Sequence, residues 1–207
     1  RSYADEEYWG KGVPGFGDHN ARLLILGLAP AAHGANRTGR VFTGDRSGDW
    51  LYAALYRAGF STAPRSLSRS DGLRLLDAFI TASVKCAPPG NKPLPEERVN
   101  CERFLDVEVD LLERVEVIVC LGAFAWDNAL RMLGRRGEVV PRPKPRFGHL
   151  ETARIGRYTL IGSYHPSQQN TFTGVLTEPM FDAVFALARR CLDSGPDRGA
   201  APSYLKG

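Results

Sequence analysis

The chain has 207 residues and a mass of 22.7 kDa, enough for one domain or a compact pair that buries an apolar core. Hydrophobic residues make up 43% of it and charged residues 24%, which excludes disordered, collagen-like and coiled-coil proteins. The formal net charge of +4 is too small to indicate a partner by itself, and no apolar run reaches membrane-spanning length.

Short apolar segments predict four β-strands, at residues 22–28, 78–84, 115–121 and 158–163. Helical patterns alternate with them at residues 45–60, 94–114, 123–133 and 177–191. Near-continuous apolar strands separated by helices are typical of a parallel sheet covered on both faces. We therefore predict an α/β fold, a three-layer α/β/α domain with a central four-stranded parallel sheet. Residues 1–192 form this single domain, and the Gly-, Pro- and Ser-rich residues 193–207 form a flexible tail.

Charge is unevenly distributed along the second half of the chain. Residues 131–157 contain eight basic and two acidic side chains, whereas residues 102–116 contain six acidic and two basic ones. Separate basic and acidic regions favour a polyanion docked on one side of the molecule. A solvated basic loop explains the same pattern.

The ligand crevice of an open parallel sheet lies beyond the carboxyl ends of its strands, so the loops that leave those ends are the candidates for chemistry. The first, residues 27–45, is rich in glycine and alanine, which let backbone amides approach a ligand. It lacks the Gly-Lys-Ser/Thr of a phosphate-binding loop and a dinucleotide fingerprint. Asp45 lies where the next helix begins. Its carboxylate is either functional or a plain helix cap.

Two further loops each offer a polar side chain. Asn91 lies in a proline-stiffened loop and can present a donor and an acceptor to the edge of a ring; otherwise it is a turn residue. His165 follows the last strand directly, where its imidazole can face the crevice, and a polar run follows it. A structural histidine is the alternative for His165.

Together these loops resemble a known family. The stretches GLAPAAHG, NRTGRVFTGD, CAPPGNKP and YHPSQQNTFTG, with EEYWGKGVPGFGD and VCLGAFAWDNAL, are similar to the uracil-DNA glycosylase superfamily. The resemblance is to its family 5, also called type B, and covers residues 8–190. It implies an enzyme that flips uracil out of double-stranded DNA, hydrolyses the N-glycosidic bond and leaves an abasic site.

The resemblance also implies roles for particular residues. Phe42 would stack on the base, Asn91 would bind its edge, and His165 would donate a hydrogen bond to its oxygen. The backbone of the first loop would surround the base, at Gly27, Leu28, Ala29 and Ala31. The segment after His165 would enter the minor groove, at Ser167, Gln168, Gln169 and Asn170.

The first motif departs from the best-known glycosylases of the superfamily, which have Asp or Asn where this chain has Ala29. Family 5 shares this feature, and the resemblance moves the acidic role to Asp45, with His33 as a second polar contributor. The small residues Ala29, Ala31 and Ala32 leave room for larger bases, so we expect hypoxanthine and ethenocytosine to be accepted as well.

The four cysteines are Cys86, Cys101, Cys120 and Cys191, and their spacing suits a reducing cytoplasm. The patterns of Cys120 and Cys191 are typical of free buried thiols. The resemblance implies a 4Fe-4S cluster held by Cys86, Cys101 and two further cysteines from an N-terminal segment that the sequence, which begins at Arg1, does not contain. We expect a cytoplasmic monomer.

Two other functions remain open at this point. One is a non-catalytic protein of the same fold that binds damaged DNA or abasic sites, since Ala29 replaces the usual acid. The other is a small-nucleotide hydrolase that uses His165 and Asp45, which the lack of a cluster of acidic metal ligands disfavours.

Overall fold

The structure is a computed structural model and describes residues 6–194. Its strands are β1 (Phe16–Gly17), β2 (Leu23–Gly27), β3 (Ala78–Ala82), β4 (Val117–Leu121), β5 (Thr152–Ile155) and β6 (Tyr158–Ser163). Its α-helices are α1 (Ala35–Thr38), α2 (Arg46–Arg57), α3 (Pro95–Asp110), α4 (Ala123–Arg135), α5 (Gln168–Phe172) and α6 (Glu178–Ser194), and a 3₁₀ turn spans Pro89–Asn91.

The strands form one six-stranded sheet in the order β1-β3-β2-β4-β6-β5. The inner four strands are parallel, which confirms the predicted sheet, and the two edge strands are antiparallel to their neighbours. The sequence did not reveal the edge strands. Strand β1 has only two residues, and β5 is mostly exposed, so neither forms an apolar run.

Side chains alternate across the sheet and fill two apolar layers. In β2, Leu23 and Ile25 pack into the layer covered by α2 and α6. Leu24 and Leu26 point to the other face and pack into the layer covered by α3 and α4. Both faces are therefore closed, and the edge where the parallel strands end remains for a ligand. No helix in the described part of the chain is long and apolar enough to cross a membrane.

Helices α2, α3, α4 and α6 begin within one residue of the predicted positions, but all four end elsewhere. Helix α2 ends at Arg57 rather than at residue 60, and α4 ends at Arg135 rather than at residue 133. Helix α3 ends at Asp110, and residues 111–114 form a turn that leads into β4, so the predicted helix 94–114 was too long. Helix α6 continues to Ser194, so Asp193 and Ser194 are helical rather than part of a tail. The rest of the predicted tail, residues 195–207, lies outside the described residues.

The acidic and basic stretches contact each other where α3 and α4 pack side by side, so they are not fully separate regions. Arg135 on α4 pairs with Asp106 on α3 at 2.8 Å, and Arg136 pairs with Asp110. These ion pairs join the two helices on one face of the sheet. Much of the apparent basic patch is therefore neutralised within the protein.

Candidate active site

A cleft of about 890 Å³ opens at the carboxyl edge of the sheet, a size within the usual range of ligand sites. It brings together ten of the predicted site residues, Leu28, Ala29, Ala31, His33, Asp45, Asn91, His165, Ser167, Gln168 and Gln169. An adjoining recess is lined by Ala29, Ala31, Phe42, Asp45 and His165, among others. Three loops that are far apart in the sequence therefore meet at one place.

Asp45 is the N-cap of α2 and also forms part of the cleft wall. Its Oδ1 accepts a hydrogen bond from the Gly48 N–H at 2.9 Å, which satisfies a free donor of the first helical turn. Burial raises the pKa of the carboxyl, and the backbone N–H groups of Gly48 and Ser47 oppose this by favouring the ionised form. The cap and a role in the cleft are thus compatible with each other.

Gly34 determines where the second oxygen of Asp45 lies. A Cβ built on Gly34 would be 2.1 Å from Oδ2 and 2.9 Å from Cγ. The carboxylate therefore packs directly against the glycine backbone. A residue with any side chain at this position would occupy the place of Oδ2.

Phe42 lies in the recess with a backbone φ of 51°, in the left-handed region that bulky residues rarely adopt. Its ring covers Gly27, where a Cβ would be 2.9 Å from the ring, and lies 6.0 Å from the His165 ring. Gly27 therefore supports the Phe42 ring from beneath.

Burial lowers the pKa of His165 to about 4, so its ring is neutral at pH 7 and carries one N–H donor. The chain is fixed on both sides of this residue. The Asn170 side-chain amide donates to the His165 carbonyl at 2.9 Å, and the Tyr164 N–H donates to His149 Nδ1 at 3.2 Å. The His149 and Tyr164 rings also stack, with centroids 5.0 Å apart.

Asn91 and His33 lie at the exposed rim of the cleft. Asn91 has a φ of 56°, a conformation that asparagine tolerates better than most residues, and its N–H donates to the Pro88 carbonyl at 3.1 Å. His33 Nδ1 lies 2.6 Å from the Tyr8 hydroxyl, so the N-terminal segment contacts the rim.

Helix α5 holds the polar run that follows His165. Ser167 caps this helix, accepting from the Asn170 N–H at 3.3 Å. Gln168 and Gln169 are exposed and line the cleft, as a DNA-contacting segment requires. Asn170 differs from its predicted role, because its side chain turns back to the His165 carbonyl and does not line the cleft.

Two cysteines lie close together on the α3 side of the sheet. Cys101 Sγ accepts the Lys85 N–H at 3.4 Å, which places it beside the Val84–Lys85 peptide, one residue before Cys86, and Cys86 is exposed. Within residues 6–194, no group of three or more cysteine, histidine or carboxylate side chains could hold a metal ion. Cys120 is a free buried thiol, and Cys191 is a free, partly buried one.

Comparison with known proteins identifies the family. The family model of the uracil DNA glycosylase superfamily matches residues 14–189. The chain belongs to the uracil-DNA glycosylase superfamily. Within it, the chain is similar to a type-5 uracil-DNA glycosylase of Mycobacterium tuberculosis, with 56% identity over 192 residues, 92% of this chain and 70% of that protein.

Two other relatives in the superfamily are similar to the chain at lower sequence identity. A type-5 uracil-DNA glycosylase of Thermus thermophilus is 50% identical over 190 residues, 92% of this chain and 84% of that protein. A type-4 uracil-DNA glycosylase of Thermotoga maritima is 31% identical over 156 residues, 75% of this chain and 69% of that protein. The predicted resemblance to the uracil-DNA glycosylase superfamily is confirmed.

Sequence reasoning missed several residues that line the cleft of this superfamily member, namely Gly34, Gly44, Arg46, Ser47, Asp49, Ser66 and Leu67. Gly34 lies inside the GLAPAAHG motif, so its position was a usable signal. Ser66 and Leu67 lie in a loop that follows a helix. The rule that directs attention to loops leaving strands could not find them.

Proposed function

We propose that this superfamily member is a DNA repair enzyme that hydrolyses the N-glycosidic bond of uracil in double-stranded DNA and leaves an abasic site. The observation that carries the proposal is that one cleft contains Asp45, Asn91 and His165, the three side chains that such an enzyme requires. The names of the type-5 relatives support the same activity.

Hydrolysis breaks the C1′–N1 bond of the nucleotide and forms a C1′–O bond to water. The bonding electrons leave with the base, so positive charge develops on the sugar and negative charge on the base oxygen. Asp45 Oδ1 is engaged by the helix cap, which leaves Oδ2 to accept a proton from the attacking water or to stabilise the sugar cation. No carboxylate is present at Ala29 to share this role.

His165 acts on the leaving base. Its neutral ring donates one N–H towards the base oxygen, and this bond strengthens as negative charge develops there. A donor that is already fixed in position requires no reorganisation during the reaction. Two hydrogen bonds hold the backbone around His165 in place. The Asn170 side chain donates to the His165 carbonyl, and the Tyr164 N–H donates to His149.

The base reaches these groups by flipping out of the duplex. Phe42 then stacks on the base, and Asn91 binds its polar edge from the rim. Part of the recess is lined by Ala29, Ala31 and Ala35, whose side chains are single methyl groups. We propose that hypoxanthine and ethenocytosine are accepted as well, and base release from duplexes that contain each of them tests this.

The test of the proposed function is single-turnover base release from a labelled duplex with one uracil opposite guanine, revealed by alkaline cleavage. Asp45→Ala and His165→Ala are each expected to slow release by about a hundredfold or more. Asp45→Asn is the matched control for folding, because asparagine also caps helices well but cannot take a proton. It is expected to keep the parent Tm and lose the activity.

Other outcomes would favour the other functions. Tight duplex binding without any base release by the parent protein would overturn the proposal and favour a non-catalytic protein that binds damaged DNA. Hydrolysis of free nucleotides in preference to duplex DNA would favour a small-nucleotide hydrolase. We further propose that the protein acts in the cytoplasm. We also propose that it is a monomer, which light scattering during size-exclusion chromatography tests.

We also propose that Cys86 and Cys101 supply two of the four ligands of a 4Fe-4S cluster. Their thiols suit iron, and the Lys85 N–H that donates to Cys101 Sγ is the kind of hydrogen bond found at such sulfur ligands. When bound, the cluster would supply a covalent tie between distant parts of the chain. Cys86→Ser and Cys101→Ser are expected to lower iron content and Tm, whereas Cys191→Ser is not. In a protein that also carries the two N-terminal cysteines, a parent without iron, or variants with unchanged iron, would contradict this proposal.

A further inference from the structure

The loop of residues 62–72, between α2 and β3, places an apolar side chain in the cleft. Leu67 is 70% exposed and lines the cleft together with Asp45 and His165. Gln168 and Gln169 line the same cleft from helix α5. An exposed leucine is common on protein surfaces, but one at the mouth of a site needs a physical reason.

A buried arginine anchors this loop to the first motif region. Arg40 is 5% exposed, and its Nη1 donates to Ser66 Oγ at 2.9 Å and to Asp71 Oδ1 at 2.7 Å. Its Nη2 donates to the Arg69 carbonyl at 2.7 Å. A charge removed from water is stable only when it is paired and hydrogen-bonded, and these contacts meet that condition.

Asp71 also fixes the direction of the loop tip. Its Oδ2 accepts from the Leu67 N–H at 2.7 Å and from the Ser68 N–H at 3.2 Å. The backbone on either side of the Leu67 side chain is therefore held, while the side chain itself stays in solvent. Such preorganisation lowers the entropy lost when a ligand is bound.

The loop is also basic. Arg65 is exposed and makes no ion pair within residues 6–194, whereas the charge of Asp71 is matched by Arg40. Arg65 lines a neighbouring recess, and Arg46 lines both that recess and the cleft. An apolar side chain with cations on the adjoining surface suits a ligand with flat apolar faces and phosphates. Duplex DNA from which one nucleotide has flipped exposes such faces, because the neighbouring bases lose a stacking partner.

We propose that the loop of residues 62–72 is a second DNA contact of this enzyme, with Leu67 packed against the bases beside the flipped nucleotide and Arg65 near the phosphates. The inference rests on the proposed function, because it takes the occupant of the cleft to be DNA. It assigns to Leu67 a role on the duplex and no role in the chemistry at the glycosidic bond.

The test compares a duplex with a single strand of the same sequence. Leu67→Ala is expected to slow single-turnover uracil release from the duplex by about tenfold, as loss of one apolar contact predicts, and to leave release from the single strand within about twofold. Leu67→Met keeps the apolar volume and is expected to match the parent. Leu111→Ala is the surface control, because Leu111 is 67% exposed beyond the far end of α3, at the opposite edge of the sheet.

A binding measurement keeps the inference testable even if the parent is inactive on single strands. Fluorescence anisotropy is expected to show about tenfold weaker binding of Leu67→Ala to a duplex with one abasic site, and unchanged binding to a single strand. No loss on the duplex, or equal loss on both forms of DNA, would overturn the inference. A parent that binds the duplex but releases no uracil would overturn the proposed function alone.

Discussion

Gly34→Ala tests whether the position of the Asp45 carboxylate determines the rate of base release. The added Cβ would lie 2.1 Å from Oδ2, and contacts under 3.0 Å essentially never occur, so the carboxylate must move by about 1 Å. A misplacement of that size can cost about a hundredfold in rate. If Asp45 also loses its cap on α2, the free energy of unfolding falls by about 1 kcal/mol.

Single-turnover uracil release and urea unfolding measure the two effects separately. Gly134→Ala is the control, because its Cβ would come no closer than 3.8 Å to Val140, and alanine favours a helix. In the Asp45→Ala background, Gly34→Ala is expected to slow release little further, since both changes act through one group. A Gly34→Ala protein with a rate within about threefold of the parent and an unchanged unfolding curve would refute the reasoning.

Three further predictions concern the rest of the site. Because burial lowers the pKa of His165 from 6.5 to about 4, the unfolded chain binds a proton that the folded chain excludes. The free energy of unfolding is therefore expected to fall by about 3 kcal/mol as the pH drops through that window, and His165→Phe is expected to flatten this part of the urea-unfolding profile. His149→Ala is expected to slow base release about tenfold, and His149→Asn, which restores an acceptor for the Tyr164 N–H, to recover part of the rate; equal loss in both would refute a positioning role. Charge reversal at the exposed Arg142 and Arg146 is expected to weaken duplex binding and to reduce the salt dependence of the affinity. Unchanged affinity at low and moderate salt would show that this loop does not contact DNA.

The central sheet was predictable because its strands are buried on both faces. Strand β2, Leu23–Gly27, is buried at every position, and such a run has few other interpretations. Strand β5, Thr152–Ile155, has only one buried residue and gains its structure from pairing with β6. Its sequence alone therefore does not distinguish it from a loop.

The site was predictable only where a residue follows a strand or lies within a motif. Asp45 and His165 met one of these conditions, and both line the cleft. The contact of Asp45 with Gly34 and the position of Leu67 depend on how separate loops pack, which no local pattern encodes. The packing of Phe42 against Gly27 likewise depends on the folded loop and could not be predicted from the motif.

The buried Arg40 has a consequence for how the cleft opens. Its guanidinium bonds to the loop of residues 62–72, while its own backbone belongs to the loop that carries Phe42 and Asp45. Neither loop can detach without leaving a buried charge unpaired, so the two are expected to open as one cooperative unit in hydrogen exchange. A nucleotide that enters the cleft therefore meets a wall that, at these two loops, moves as a single body.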